Sequence, residues 1–224
     1  MANRLLDFLK EPTTASIAKG SFIVLFFKVI GALGGYVLLF SLSATGGERE
    51  VGVYEVAFTI ILIGSTIGRW GLDTVLVKAL GQQHMEEAPS RPLYLKLFIR
   101  VFAVSVVTSA AAFALASTFT DLFFDQTPTA VITTAAIAIV PFTLMLFNAE
   151  AYRGLHKPLL FSLNQHGTVY LVIAMLLLLA PWSDWSGNAM GSAQLALIAL
   201  VALSTMFFLL SFQHILRLCS PNAP

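Results

Sequence analysis

Long apolar runs separated by short polar breaks dominate the chain. Each run approaches the roughly 20 residues that one helical crossing of a bilayer needs. Six helices are predicted on that basis, over 17–42, 51–68, 93–119, 130–147, 159–180 and 193–210, the last extending toward Ile215. The breaks carry turn chemistry: Gly46-Gly47, the stretch Ala88-Pro89-Ser90-Arg91-Pro92, Pro128, Lys157-Pro158, and Pro181 through Gly187. Residues 1–16 read as a cytoplasmic N-terminal segment in which Leu5, Leu6, Phe8 and Leu9 fit a short amphipathic helix on the inner surface. Residues 17–215 read as a six-helix transmembrane lobe and 216–224 as a cytoplasmic tail. The expected fold class is therefore an all-α membrane protein, a bundle of six transmembrane helices.

Charge placement gives that bundle a direction. Arg4, Lys10, Lys19, Arg69, Lys78, Arg91, Lys96, Arg100, Arg153, Lys157 and Arg217 fall in one set of loops, and only Arg49 in the opposite set. This asymmetry of 11 to 1 assigns the first set, and both termini, to the cytoplasm by the positive-inside rule. Adding or removing one span would scramble the pattern, so the asymmetry also supports the count. Glu48, Glu50, Asp121, Asp125 and Asp184 lie on the outer side, and Trp182 and Trp185 flank the fifth helix where indoles favour the interface.

Composition narrows the function classes. Only 11% of the 224 residues are charged against 57% hydrophobic, too few to cover a water-facing surface. Short loops leave no room for a soluble catalytic domain. A net charge of +1 argues against a nucleic-acid partner. The single cysteine, Cys219, can form neither an intramolecular disulfide nor a cysteine-based metal site. The start is not a cleavable signal, because its first apolar run is longer than a signal core and follows Arg4, Asp7, Lys10, Glu11 and Lys19.

Ionisable groups inside spans are costly and therefore candidate functional groups. Lys28 lies nine residues beyond Lys19, about 13 Å deeper along a helix. Its side chain covers only about half that distance to the interface, so it either lines a water-filled cavity or pairs within the bundle. Glu55, one turn below the outer end of helix 2, reads as an interfacial carboxylate. Asn164, Gln165 and His166 enter helix 5 close to the level of Lys28, as further cavity candidates or as interhelical hydrogen-bonding groups. Gly31 and Gly35, and likewise Gly64 and Gly68, have the spacing that lets helices pack closely. Pro141 is expected to kink helix 4.

No catalytic constellation is expected. Gly64-Ser65 lies near the inner end of helix 2 and the only histidine near helix 6 is His214 at its cytoplasmic end, not the buried pair a membrane serine protease needs; there is no His-Glu-x-x-His, and no glycine-rich phosphate loop occurs. His84, Glu86 and Glu87 read as a solvated turn. Neither an enzyme, a cofactor nor a metal site is anticipated.

Several stretches together resemble the polysaccharide-biosynthesis or Wzx-type flippases, in the superfamily of multidrug, oligosaccharidyl-lipid and polysaccharide exporters. They are Lys19-Gly20-Ser21 before a helix with Lys28, Val51-Gly52-Val53-Tyr54-Glu55-Val56-Ala57, Gly68-Arg69-Trp70-Gly71-Leu72-Asp73 with Lys78, and Tyr152-Arg153-Gly154-Leu155-His156-Lys157. The resemblance covers about residues 15 to 160, and order, spacing and sidedness carry it. It implies one lobe of a two-lobed exporter fold with alternating access in a bacterial inner membrane. It further implies a lipid-linked oligosaccharide substrate whose diphosphate meets Lys28. Family members have a second six-helix lobe, so the chain is expected to be either a truncated or split flippase or one that pairs with a second six-helix lobe, as a homodimer for example, beside membrane lipids. Two alternatives stay open: an accessory or inactive half-length subunit, and a drug or ion exporter of the same fold. The latter is disfavoured because helix 1 carries a lysine and no acid.

Overall fold

The computed structural model describes residues 12–86, 91–123, 128–179 and 191–219. They form α1 (Pro12–Arg69), α2 (Leu72–Glu86), α3 (Arg91–Ala114), α4 (Ala116–Phe123), α5 (Thr129–Gly154), α6 (Pro158–Leu163), α7 (His166–Leu179) and α8 (Ser192–Leu218). No strand occurs among the described residues, so the fold is all-α. Four helices are long and apolar enough to cross a membrane: Lys19–Arg69 of α1, then α3, α5 and α8. A shorter apolar stretch, Gly167–Leu178, lies in α7. These are the helices of a multi-pass membrane protein. The expected N-terminal amphipathic segment, Trp182, Trp185, the turn from Pro181 to Gly187 and the end of the tail lie outside the described residues.

The first two predicted helices are the two arms of α1. Gly47 breaks the helix with φ 76° and ψ −172°, a conformation that a side chain disfavours. The arms then run antiparallel. Gly20, early in the first arm, lies against Pro158, while Arg69, ending the second, is in electrostatic reach of Glu150 near the end of α5. At the far end of α1 a second reversal follows. Trp70 and Gly71 take φ of 44° and 75°, and the paired left-handed residues turn the chain into α2.

Helix α5 is the axis of the bundle. Of its most apolar stretch 67% is buried inside the chain, against 17% for α1, 17% for α3 and 28% for α8. Small residues make this possible: Gly64 and Gly68 of α1 meet α5 at Ile139 and Thr143, and Ala135, Ala136 and Ala138 are buried. A Cβ on Gly64 would fall 2.6 Å from Ile139 Cδ1. The helix continues through Pro141.

A buried polar network ties α5 to its neighbours. The Tyr94 hydroxyl donates to Asn148 Oδ1 at 2.7 Å, and Asn148 Nδ2 donates to Ser211 Oγ at 2.8 Å. One turn on, the Tyr152 hydroxyl lies 3.1 Å from His214 Nδ1. Helices α3, α5 and α8 are thus joined through side-chain amide and hydroxyl groups.

Three local differences from the sequence expectation have physical causes. The stretch with His84 and Glu86, expected as a turn, belongs to helix α2. Its Leu72, Leu76 and Leu80 recur every four residues, and Leu76 and Leu80 are fully buried beside Tyr152 and Leu155. Too short and polar to span a bilayer, α2 packs on Gly154, where a Cβ would come within 3.0 Å of Leu80 Cβ. The predicted helix over 93–119 is interrupted at Leu115, and the one over 159–180 at Asn164-Gln165. At the second break the Asn164 amide bonds back to the Leu160 carbonyl through its own side chain, as short polar residues do where helices end.

At the end of the bundle opposite Arg69, Glu50 caps α8. Its Oε2 accepts from the Ala193 backbone N–H at 2.7 Å and from Ser192 Oγ at 3.2 Å. The carboxylate satisfies donors that a helix start leaves open and faces the positive end of the helix dipole. Glu50→Ala is expected to lower stability by about 1 kcal/mol, the usual scale of a lost cap, read as a fall in denaturation midpoint. Glu50→Gln should lose less, because an amide oxygen still accepts. Equal losses for the two variants would contradict the capping role.

Cys219 follows α8 and is buried. Removal from water disfavours the thiolate and pushes the thiol up to about 11. At pH 7 the thiolate fraction is then on the order of one in ten thousand. Maleimide labelling of the folded chain should be slow at pH 7 and rise about tenfold per pH unit up to pH 10. Fast labelling at neutral pH would show that the thiol is not held in this site.

Candidate functional site

The sequence Arg153-Gly154-Leu155-His156-Lys157-Pro158 closes α5 and opens α6. The Leu155 N–H bonds to Ala151 O and the Lys157 N–H to Tyr152 O, a wrapped helix end. His156 takes φ 55°, the left-handed position usually given to glycine or asparagine. Pro158 then starts α6, where its missing N–H is no loss. The compact turn bunches Arg153, His156 and Lys157 on one side.

Facing that turn is the first arm of α1. Together they enclose a groove of about 780 Å³ whose lining includes Lys19, Lys28, Arg153, His156 and Lys157. Among the described residues no acidic one lines it. Arg153 Nη1 pairs with Glu150 Oε2 at 3.1 Å, and its guanidinium stands 6.0 Å from the centre of the Phe161 ring. Arg69 and Asp73, themselves paired at 3.1 Å, lie within electrostatic reach of the same Glu150.

A second cavity of about 220 Å³ continues into the bundle between α1 and α7, lined by Lys28, Gly31, Gly35, Gln165, Gly167 and Tyr170 among others. Lys28 lines both volumes. The ammonium is exposed and stands where the basic groove meets the deeper cavity. Nine residues separate it from Lys19, so cationic groups occur at two depths about 13 Å apart along α1.

The glycines bring these walls together. A Cβ at Gly31 would lie 2.7 Å from Gly167 Cα, and one at Gly34 would lie 2.9 Å from Leu171 Cα. The backbones of α1 and α7 therefore touch. Gly35 looks onto the Tyr170 ring at 3.8 Å, an ordinary contact. Gly34 is thus a packing residue that the four-residue spacing did not single out.

Of the polar candidates in the fifth predicted helix, Gln165 joins Lys28 in the deeper cavity. Asn164 is buried away from both volumes, and its Oδ1 has no hydrogen-bond partner among the described residues. His166 begins α7, and its side chain lies outside the described residues. Lys19, Arg153, His156 and Lys157 were visible only as loop residues, since a linear pattern does not report that the 153–157 turn folds against the start of α1. The Tyr94–Asn148–Ser211 network gave no signal beyond single polar residues in apolar runs.

Chemically, the groove presents a set of cationic groups that an anion can meet. Lysine and arginine groups, with no carboxylate among the described lining residues, favour a phosphate-bearing or carboxylate ligand. Among the described residues no cluster of histidine, cysteine and acidic groups could hold a metal ion. No family model, curated protein or solved structure matches the chain.

Proposed function

We propose that the chain is one six-helix lobe of a flippase that translocates a lipid-linked oligosaccharide by alternating access. The six crossings are the two arms of α1, then α3, α5, α6 with α7, and α8. The observation that carries the reading is Lys28, shared between a basic groove and a deeper cavity, where a diphosphate can pass from surface cations to a cation inside the membrane. The sugar-bearing head group follows this groove while the lipid tail stays in the bilayer. Basic residues gather at the end that holds Lys19, Arg69, Arg153 and Lys157, so that end faces the cytoplasm, and the resemblance to the flippases implies a bacterial inner membrane.

A second lobe completes the cavity. The first arm of α1 supports this with exposed Phe22, Phe26, Val29, Leu33 and Tyr36 beside an exposed lysine. Facing lipid, that lysine would cost about 2.5–3.5 kcal/mol near the bilayer centre; facing a wet cavity walled by another lobe, far less.

Reconstitution tests the proposal. Liposomes carrying the chain, with its second lobe if one is found, should move a fluorescent lipid-linked oligosaccharide diphosphate between leaflets faster than protein-free liposomes. A rate equal to the protein-free control, with the two-lobe assembly verified, would favour an accessory role without transport.

A further inference from the structure

A second groove, remote from the cations, has the opposite chemistry. It encloses about 730 Å³ between the second arm of α1, α3 and α5. Glu55 marks one end and Ile67 the other along α1, about 18 Å apart for a twelve-residue helical interval. The walls are almost wholly aliphatic, with Ile63, Ala111, Leu115 and Ile132 among them. Among the described residues no basic one lines it.

The few polar atoms are acceptors. Glu55 contributes a carboxylate, and among the described residues no salt bridge reaches it. The lining Thr59 hydroxyl donates its proton to Glu55 O at 2.8 Å, and Thr108 donates to Val104 O at 2.9 Å. With both protons committed to backbone carbonyls, the hydroxyl oxygens present only lone pairs to the groove. An anion or a strong acceptor finds no partner there. A cation with an apolar body finds a countercharge at one end and hydrocarbon along the rest.

We propose that this groove binds a lipophilic organic monocation, its charge at Glu55 and its apolar body extending toward Ile63 and Ile67. The proposal does not rest on the flippase reading, which uses the other groove. Attraction is effective because Glu55 borders a low-dielectric wall, where a pair of opposite charges interacts more strongly than in water.

The test uses the full chain in a neutral maltoside detergent and two ions of the same shape and opposite sign, tetraphenylphosphonium and tetraphenylborate. Equilibrium dialysis should show saturable binding of one phosphonium per chain and at least tenfold weaker binding of the borate. Glu55→Gln should weaken phosphonium binding tenfold or more, and Glu55→Asp only a few-fold. Ala111→Phe, which fills the groove and keeps the carboxylate, should also weaken it at least tenfold. Equal binding of both ions, or phosphonium binding indifferent to Glu55→Gln, would overturn the proposal. So would displacement of the phosphonium by stoichiometric phosphatidylethanolamine, which would assign the groove to a membrane lipid. If Glu55→Gln fails to fold, the comparison of the two ions on the parent chain and on Ala111→Phe still decides.

Discussion

Lys28→Ala is expected to reduce the affinity of the groove for a lipid diphosphate about tenfold and to reduce translocation by at least as much. A basic residue near a membrane surface contributes about 1 kcal/mol toward an anionic group, a five-fold effect in affinity. Lys28 should exceed that, because it stands deeper, where less water screens it. Lys19→Ala and Lys157→Ala, at the wetter end of the groove, should each stay near the smaller value and fade as salt is raised. The decisive comparison is between depths. Titration of the purified chain with a short-tailed isoprenyl diphosphate, at low and high salt, should give Lys28→Ala the largest and least salt-sensitive loss. Lys28→Arg should recover most of the affinity, because the charge is kept. Equal losses at the three positions would reduce the groove to a surface patch and remove Lys28 from the transport path. Intact sugar export by Lys28→Ala in cells that depend on this chain would do the same.

Gly31→Leu should be the most destabilising single change in the helix contacts described. The backbones of α1 and α7 meet at Gly31 and Gly167, with no space for even a Cβ. Four added carbons must push the helices apart, at about 3 kcal/mol, the upper part of the usual range for overpacking. The separation would also open the wall between Lys28 and Gln165, so stability and diphosphate binding should fall together. A graded series gives the finer test. Alanine at Gly31 or Gly34 places a Cβ under 3.0 Å from backbone and should lower the thermal midpoint clearly, whereas alanine at Gly35 meets only the Tyr170 ring at 3.8 Å and should be nearly neutral. A larger loss at Gly35 than at Gly34 would mean that α1 packs on α7 in another register.

These two cases also show what a linear reading can reach. Apolar runs are legible because transfer free energy accumulates over some twenty residues, and interruptions by single polar groups barely alter the sum. Lys28 stood out for the same reason, as one charge in a long apolar stretch. Gly31 was legible as a small residue, but its partner was not: contact with Gly167 depends on how α7 is rotated, which spacing within α1 does not encode. Helix α2 was missed because its stabilising face is three leucines packed on Tyr152 and Leu155, a tertiary gain invisible to a search for spans. The groove itself required the left-handed turn at His156, a backbone state that histidine does not advertise.

The two polar clasps bear on the order in which the chain can be assembled. Glu50 waits for a partner 143 residues later in the chain, at Ala193, and Asn148 for one 63 residues later, at Ser211. Both partners belong to α8, so neither clasp can close before that helix has been synthesised and inserted. Until then the axis helix is held by apolar packing and by its hydrogen bonds to α3, from the Tyr94 hydroxyl to Asn148 Oδ1 and from Ser109 Oγ to the Ala136 carbonyl, with the amide of Asn148 still short of one acceptor. Completion of this bundle is therefore controlled by α8, and a nascent chain arrested before Ser192 would lack both clasps.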